Sequence, residues 1–413
     1  MDVDQSLESG EPADHSLEDV NSVFTRWIDA VGDNAPYEAT RKTLLDEEKA
    51  KGWTAAAFAR ASDKEKLAET IVRYIRERER SGDPFGNMAA EAQPPHDSHD
   101  MGGRFLMERK RIATSDIFDI ACMAPKGAHL HLHLNSELPP EDLFAYARKP
   151  EVQNTMFIRS TLRLLNDDAF RKTEIVLSIL PQDTPTGNLF AADYEPDWKA
   201  PGQHAWMPWA AFCKTFDTVA TEHLKPEEVP KITDPNDGEV KLMNRAECWA
   251  REKMMITQDL KYKRATTHNF MWACFNEGTR AFKGLLNYEG VFTWYIGHAI
   301  DNMIKQKVMY AELRPMLMDK SIPSDDGTRM LSHSDQMRII LKEVAAKQQS
   351  LDADGELRKF PFGLRIIYCA PRSIPKTRMR TELGDCLKLA MEFKDYGLIV
   401  GKQYCSRKMS RSD

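Results

Sequence analysis

The sequence of 413 residues has few cysteines, no long apolar run and little net charge, and each of these shortages excludes a class of protein. The seven cysteines are dispersed without a CxxC pair, which argues against a disulfide framework and for a reducing compartment. No apolar run approaches the roughly 18 residues of a membrane span. The 57 basic and 63 acidic residues give a net charge of −6, too small to indicate a nucleic-acid or membrane partner.

The amino-terminal residues also lack the features of a secretory signal. The first six, MDVDQS, are acidic, and no apolar core follows them. Hydrophobic residues make up 42% of the chain and charged residues 29%, an ordinary globular composition. We therefore expect a cytoplasmic globular protein.

The chain is predicted to consist of an acidic tail, a helical segment and a larger α/β part. Residues 1–20 are polar and predicted to be disordered. Residues 21–110 follow a helical pattern, in which Leu67, Ile71 and Tyr74 share one face. The polar residues 402–413 continue no recognisable element and are assigned to an unrelated tail.

Strands alternate with helices from residue 115 onward. Helices are predicted at about 287–307, 333–350 and 376–394, and this alternation is typical of a parallel α/β architecture. The apolar runs predict strands with both faces buried, at Gly127–Leu134, Val308–Leu313, Gly363–Cys369 and Leu398–Gly401.

The first of these strands contains three histidines at alternate positions, His129, His131 and His133. Side chains two apart on a strand point to the same face, so two imidazoles can coordinate one ion. Zinc is the candidate metal, because it accepts neutral imidazole nitrogen. A hydrogen-bonded core histidine or a chance surface patch also fits the pattern, which does not by itself say which histidines would be ligands.

The run MAPKGAHLHLHLN at 123–135 resembles the first barrel strand of the adenosine deaminases, in which Pro-Lys precedes a His-x-His pair. It is most similar to the fungal form of the branch related to adenosine deaminase growth factors, which has a helical segment before the barrel and a long insertion after the first strand. The similarity covers roughly residues 37–401 and includes further matches, namely MPWAAF at 207–212, FKGLLNYEG at 282–290, VMYAELRPML at 308–317 and FPFGLRIIYCAPRSIPK at 360–376.

The resemblance implies an incomplete TIM-type (β/α) barrel of about four strands over residues 115–401, with an insertion at about 150–285. It implies that His131 and His133 are the first two ligands of one Zn²⁺ ion, and that His129 is not a ligand. Asn135 stands where the core family has an Asp near the ribose, and an amide can still bond a sugar hydroxyl. Trp209 lies in the segment that lines the family's pocket, although a core position fits it equally well.

The other catalytic groups of the family are a third His, an Asp and a Glu from the carboxyl-terminal half, in His-Ala-Gly-Glu and Ser-Asp-Asp segments. The sequence has no His-Ala-Gly-Glu, and its Ser-Asp-Asp, residues 324–326, has the composition of a turn. We identify no catalytic residue and expect the missing groups to lie beyond residue 413, so that this chain alone is inactive.

The implied reaction is the zinc-dependent hydrolytic deamination of adenosine or 2′-deoxyadenosine to inosine or deoxyinosine, and the preference between nucleosides and adenine stays open. The alternative is a non-catalytic remnant that acts as a dimerisation or binding module, as a homodimer through its helical segment. The branch is often secreted, which is the alternative to a cytoplasmic location. A dihydroorotase-type enzyme would require a lysine-bridged two-metal site, which nothing in the sequence indicates.

Overall fold

The computed structural model describes residues 35–82, 105–196, 204–219, 229–257, 267–315, 317, 319–325, 328–371 and 374–405. The tail predicted to be disordered, residues 1–20, lies outside these ranges, as does the end of the chain from residue 406. The chain divides into two compact units, residues 1–89 and 90–413.

The smaller unit is helical wherever the structure describes it, with helices α1 (Ala35–Lys51), α2 (Trp53–Arg60) and α3 (Asp63–Ser81). These helices lie within the helical segment predicted from the sequence. Helix α3 begins at a reciprocal cap, in which the Ser62 hydroxyl accepts the Glu65 N–H and the Glu65 carboxylate accepts the Ser62 N–H. On α3 the apolar side chains of Leu67, Ile71 and Tyr74 are exposed.

The larger unit contains strands between long helical stretches. Its strands are β1 (Gly127–His133), β2 (Met156–Ser160), β3 (Ile175–Ile179), β4 (Met207–Pro208), β5 (Lys231–Thr233), β6 (Val240–Leu242), β7 (Val308–Arg314), β8 (Ser321–Pro323), β9 (Met330–Ser332), β10 (Leu364–Pro371) and β11 (Ile399–Cys405). Its α-helices are α4 (Phe105–Ile112), α5 (Asp116–Met123), α6 (Pro140–Ala147), α7 (Pro150–Gln153), α8 (Asp167–Lys172), α9 (Trp209–Val219), α10 (Arg245–Met254), α11 (His268–Ala281), α12 (Lys283–Leu286), α13 (Glu289–Lys305), α14 (His333–Ala353) and α15 (Lys376–Glu392).

A four-stranded parallel sheet in the order β1-β7-β10-β11 organises this unit. All four strands predicted from the sequence belong to it, so the parallel α/β prediction is confirmed. The central strands are apolar and covered, since Leu313, Leu364 and Ile366 are at most 1% exposed. Strand β1 is an outer strand and its Leu130 is 54% exposed, so the prediction that both faces are buried is wrong for this strand, which its place at the sheet edge leaves uncovered.

The last strand is longer than predicted. The sequence placed its end at Gly401 and assigned residues 402–413 to an unrelated tail, but β11 continues to Cys405. Its extra residues pair in parallel register with Tyr368–Pro371 of β10. The predicted boundary is therefore wrong by four residues, because backbone pairing with a neighbouring strand does not require an apolar side-chain pattern.

The region between β1 and β7 forms a separate antiparallel sheet in the order β3-β2-β4, together with the β5–β6 hairpin. Aromatic side chains pack beside it: Phe170 meets Trp249 edge to face, and Phe212 stacks on Phe190. Further along, β8 and β9 form a hairpin whose turn begins at Ser324, where the sequence predicted a turn.

Within the described ranges, no helix is long and apolar enough to cross a membrane.

Candidate functional site at the carboxyl end of the first strand

Strand β1 brings His131 and His133 together as its spacing predicts. Their ring centroids are 5.3 Å apart, with the planes inclined by 56°. His129 and His131 are exposed on this outer strand, whereas His133 is partly buried. Leu132, between the pair, points to the core and is 9% exposed. The two imidazoles therefore share the face of β1 opposite the core, at the edge where the carboxyl ends of parallel strands carry ligand sites.

The surroundings of His133 favour its neutral form. Burial lowers the pKa of the His133 imidazole below its usual 6.5, and the neighbouring His131 and Arg314 lower it further. Arg314 is itself buried and donates through Nη1 to the Leu130 carbonyl at 2.7 Å. A neutral imidazole is the form that coordinates a metal ion.

The two imidazoles match only part of the donor set that a zinc ion requires. Zinc in proteins takes about four ligands, or three and a water molecule. In the part of the chain that the structure describes, no group of three or more His, Cys, Asp or Glu side chains is placed to hold a metal ion. His131 and His133 therefore fit two ligand positions, and the described residues do not complete the set.

The chain turns immediately after β1 and borders a cavity of about 280 Å³. The 3-10 turn Leu134–Ser136 leads from the strand to the cavity. The Leu138 N–H then donates to the buried Tyr295 hydroxyl at 2.9 Å, which fixes the backbone after the turn. The cavity is lined by Arg109, Asn135, Ser136, Glu137, Leu138, Pro139, Pro140, Glu141, Leu143, Arg251, Met254, Met255 and Phe282.

The structure separates the two predicted substrate residues. Asn135 lines the cavity, just beyond the histidine strand. Trp209 is 3% exposed and stacks on Phe144 and Phe212, with ring centroids 5.9 and 5.4 Å away. It does not line the cavity that contains Asn135. The surroundings of Trp209 match a core position, which was one of the two interpretations that the sequence allowed. A role of Trp209 in substrate binding stays a prediction.

Glu137 was not singled out from the sequence. Burial in the cavity wall raises the pKa of its carboxyl to about 7, and no cation is among the causes of this shift. The sequence offers one weak signal, since Glu137 closely follows the carboxyl end of a parallel strand. Phe282 and Met254 line the same cavity but come from distant parts of the chain, so local pattern does not reveal this environment.

Charged groups from three helices also line this cavity. Arg251 of α10 pairs with Glu141 of α6, while the second carboxylate oxygen of Glu141 is buried without a hydrogen bond to any described residue. Arg109 of α4 also lines the wall.

No family model matches the chain, and no curated protein is significantly similar to it. The relation to adenosine deaminases therefore stays a prediction from the quoted motifs.

Proposed function

We propose that this chain carries the first strand and two zinc ligands of an adenosine-deaminase-type hydrolase. Its reaction is the hydrolytic deamination of adenosine or 2′-deoxyadenosine to inosine or deoxyinosine. One observation supports the proposal above others: the His131 and His133 rings lie 5.3 Å apart at the carboxyl end of a parallel strand. In this proposal, the four-stranded sheet is part of a TIM-type barrel.

Each residue would have a role that follows from its position. His131 and His133 would hold the metal, and Asn135 would bond a sugar hydroxyl of the substrate from the cavity wall. Zinc, when bound, makes a water molecule nucleophilic near neutral pH. Deamination also needs an acid that protonates the purine ring. Because the residues that the structure describes do not assemble the remaining ligands, we expect this chain alone to hold zinc weakly and to turn over no adenosine.

Zinc binding tests the proposal directly. The purified chain is titrated with zinc up to a concentration that loads the wild-type protein, and bound metal is measured there for wild type, His131→Ala, His133→Ala and His129→Ala. We expect either of the first two changes to abolish the bound zinc. His129→Ala is the matched control, since His129 is an exposed histidine on the same strand, and it should bind as wild type does. Equal zinc content in all four proteins would refute the assignment of the two ligands.

Catalysis is followed separately through the absorbance loss of adenosine. We expect no turnover by the chain alone. Turnover that is unaffected by His131→Ala would contradict the deaminase site proposed here, because the reaction would then not depend on a metal at this strand.

The exposed face of α3 supports a second function, a dimerisation module. Leu67, Ile71 and Tyr74 are 61%, 48% and 66% exposed and follow one another at helical spacing. If a second copy covers this face, Leu67→Lys should shift the sedimentation coefficient from dimer to monomer. Val72→Lys introduces the same charge at an exposed apolar position outside this face of α3 and should leave the dimer intact. A monomeric wild-type chain at high micromolar concentration would exclude this function.

A further inference from the structure

The cavity beyond β1 contains a carboxyl and a guanidinium that do not pair with each other. Neither Glu137 nor Arg109 makes an ion pair or a side-chain hydrogen bond with any residue that the structure describes. An isolated, partly buried carboxyl is unfavourable for the fold unless a ligand or another group compensates it. The two groups are therefore available to a ligand that enters the cavity.

The rest of the wall restricts the charge of such a ligand. Glu141 and Arg251 add one carboxylate and one guanidinium, so the wall contains both signs in equal number. A ligand with a single charge would be attracted by one sign and repelled by the other. A molecule with both charges can satisfy Glu137 and Arg109 together.

The remaining wall is apolar. Met254, Met255, Phe282 and Leu143 line it, and methionine side chains adapt to aliphatic groups of different shape. The volume of about 280 Å³ has room for a molecule the size of an amino acid.

We propose that this cavity binds a small zwitterion, an α-amino acid with an apolar side chain. Its ammonium group lies against Glu137, its carboxylate is held by Arg109, and its side chain contacts Met254 and Phe282. Asn135, which the proposed function assigns to a sugar hydroxyl, lines the same cavity, but neither His131 nor His133 does. Binding of the amino acid therefore goes beyond the proposed deaminase function and does not depend on zinc.

Ligand chemistry provides the first test. Binding of L-leucine and L-methionine to the full chain is measured by titration calorimetry, beside 3-methylbutylamine and 4-methylpentanoate, which each lack one charge. We expect both amino acids to bind, and each single-charge analogue to bind about tenfold more weakly, the loss typical of one charge-assisted hydrogen bond. Amine binding as strong as that of leucine, or binding of adenosine but of no amino acid, would overturn the proposal.

Variants provide the second test. Glu137→Gln and Arg109→Gln should each weaken leucine binding about tenfold. Lys110→Gln removes a neighbouring charge that does not line the cavity and should leave the affinity unchanged. The double variant His131→Ala/His133→Ala should also bind leucine normally, which separates this result from the fate of the zinc proposal. Unchanged affinity in Glu137→Gln, with the fold verified by circular dichroism, would refute the assignment.

The pH dependence provides a third readout. Glu137 accepts an ammonium group only when it is ionised, and its pKa is raised to about 7 by burial. Leucine affinity should therefore rise about tenfold between about pH 6 and about pH 8. The same titration with Glu137→Gln should be flat, and a parallel rise in the variant would contradict a role for this carboxyl.

Discussion

Replacing Glu137 by glutamine should stabilise the larger unit at alkaline pH. Burial raises the pKa of the Glu137 carboxyl from 4.5 to about 7, and no described cation compensates it. Above pH ~7 the wild-type protein therefore holds a partly buried, unpaired charge. Glutamine has nearly the same shape and no charge, so the substitution removes this penalty.

The magnitude follows from the linkage between protonation and folding. The rise in the pKa of Glu137 corresponds to a decrease of at most about 3 kcal/mol in the free energy of unfolding of the wild-type protein at alkaline pH. The Glu137 side chain is only partly buried, and solvent screening reduces the expected effect to about 1–2 kcal/mol.

The sign of the effect depends on pH. The folded state binds the proton of the Glu137 carboxyl more tightly than the unfolded chain does. The contribution of Glu137 to the free energy of unfolding is therefore most favourable below about pH 4.5. It is lost as the pH rises to about 7, the pKa of Glu137 in the folded state, and then stays constant. Wild type and Glu137→Gln should therefore be equally stable near pH 4, and the variant should be more stable above pH ~7.

Urea unfolding of both proteins at a series of pH values, followed by near-UV circular dichroism, measures this difference. Subtracting the two curves removes the titration of all other groups. A difference that does not change with pH would show that the pKa of Glu137 is not raised in the folded chain, and a variant that is less stable at pH ~8 would show that Glu137 has a cationic partner. Either result would weaken the proposed ammonium site.

Two further predictions concern the packing around the insertion. Glu247 is 3% exposed and accepts two hydrogen bonds from the Arg148 guanidinium, at 2.7 and 3.0 Å. Glu247→Gln should therefore lower the free energy of unfolding of the larger unit by about 3–5 kcal/mol, measured in urea. A decrease of less than about 1 kcal/mol would mean that water replaces the ion pair. Trp209→Ala should lower the free energy of unfolding by about 3–5 kcal/mol, because Trp209 is stacked between Phe144 and Phe212. A variant that keeps wild-type stability but fails to bind nucleoside would instead assign Trp209 to a binding site.

Local pattern determined much of the secondary structure. Strand β7 begins at Val308 in both prediction and structure, and α14 and α15 begin at His333 and Lys376 as predicted. These elements are recognisable because apolar runs and helical periodicity reflect burial along a single segment. Residues 105–123 form two helices, α4 and α5, and Ser115 caps the second by accepting the Phe118 N–H.

The histidine pair was also predictable, because the spacing of two along a strand determines that both side chains share a face. The sequence left open which further groups would join them. The groups that join the histidine pair depend on which strands are neighbours in the sheet. The strand beside β1 is β7, which is not the next strand along the chain.

Only the tertiary structure decided which polar groups lie in the cavity. Arg109, Glu137 and Met254 come from distant parts of the chain, and no periodicity relates them. The same holds for the stacking of Trp209 on Phe144, which lies on α6. A sequence by itself determines which residues can lie on one face of a helix or strand. Burial, and with it the pKa of Glu137, arises when separate elements pack together and exclude water.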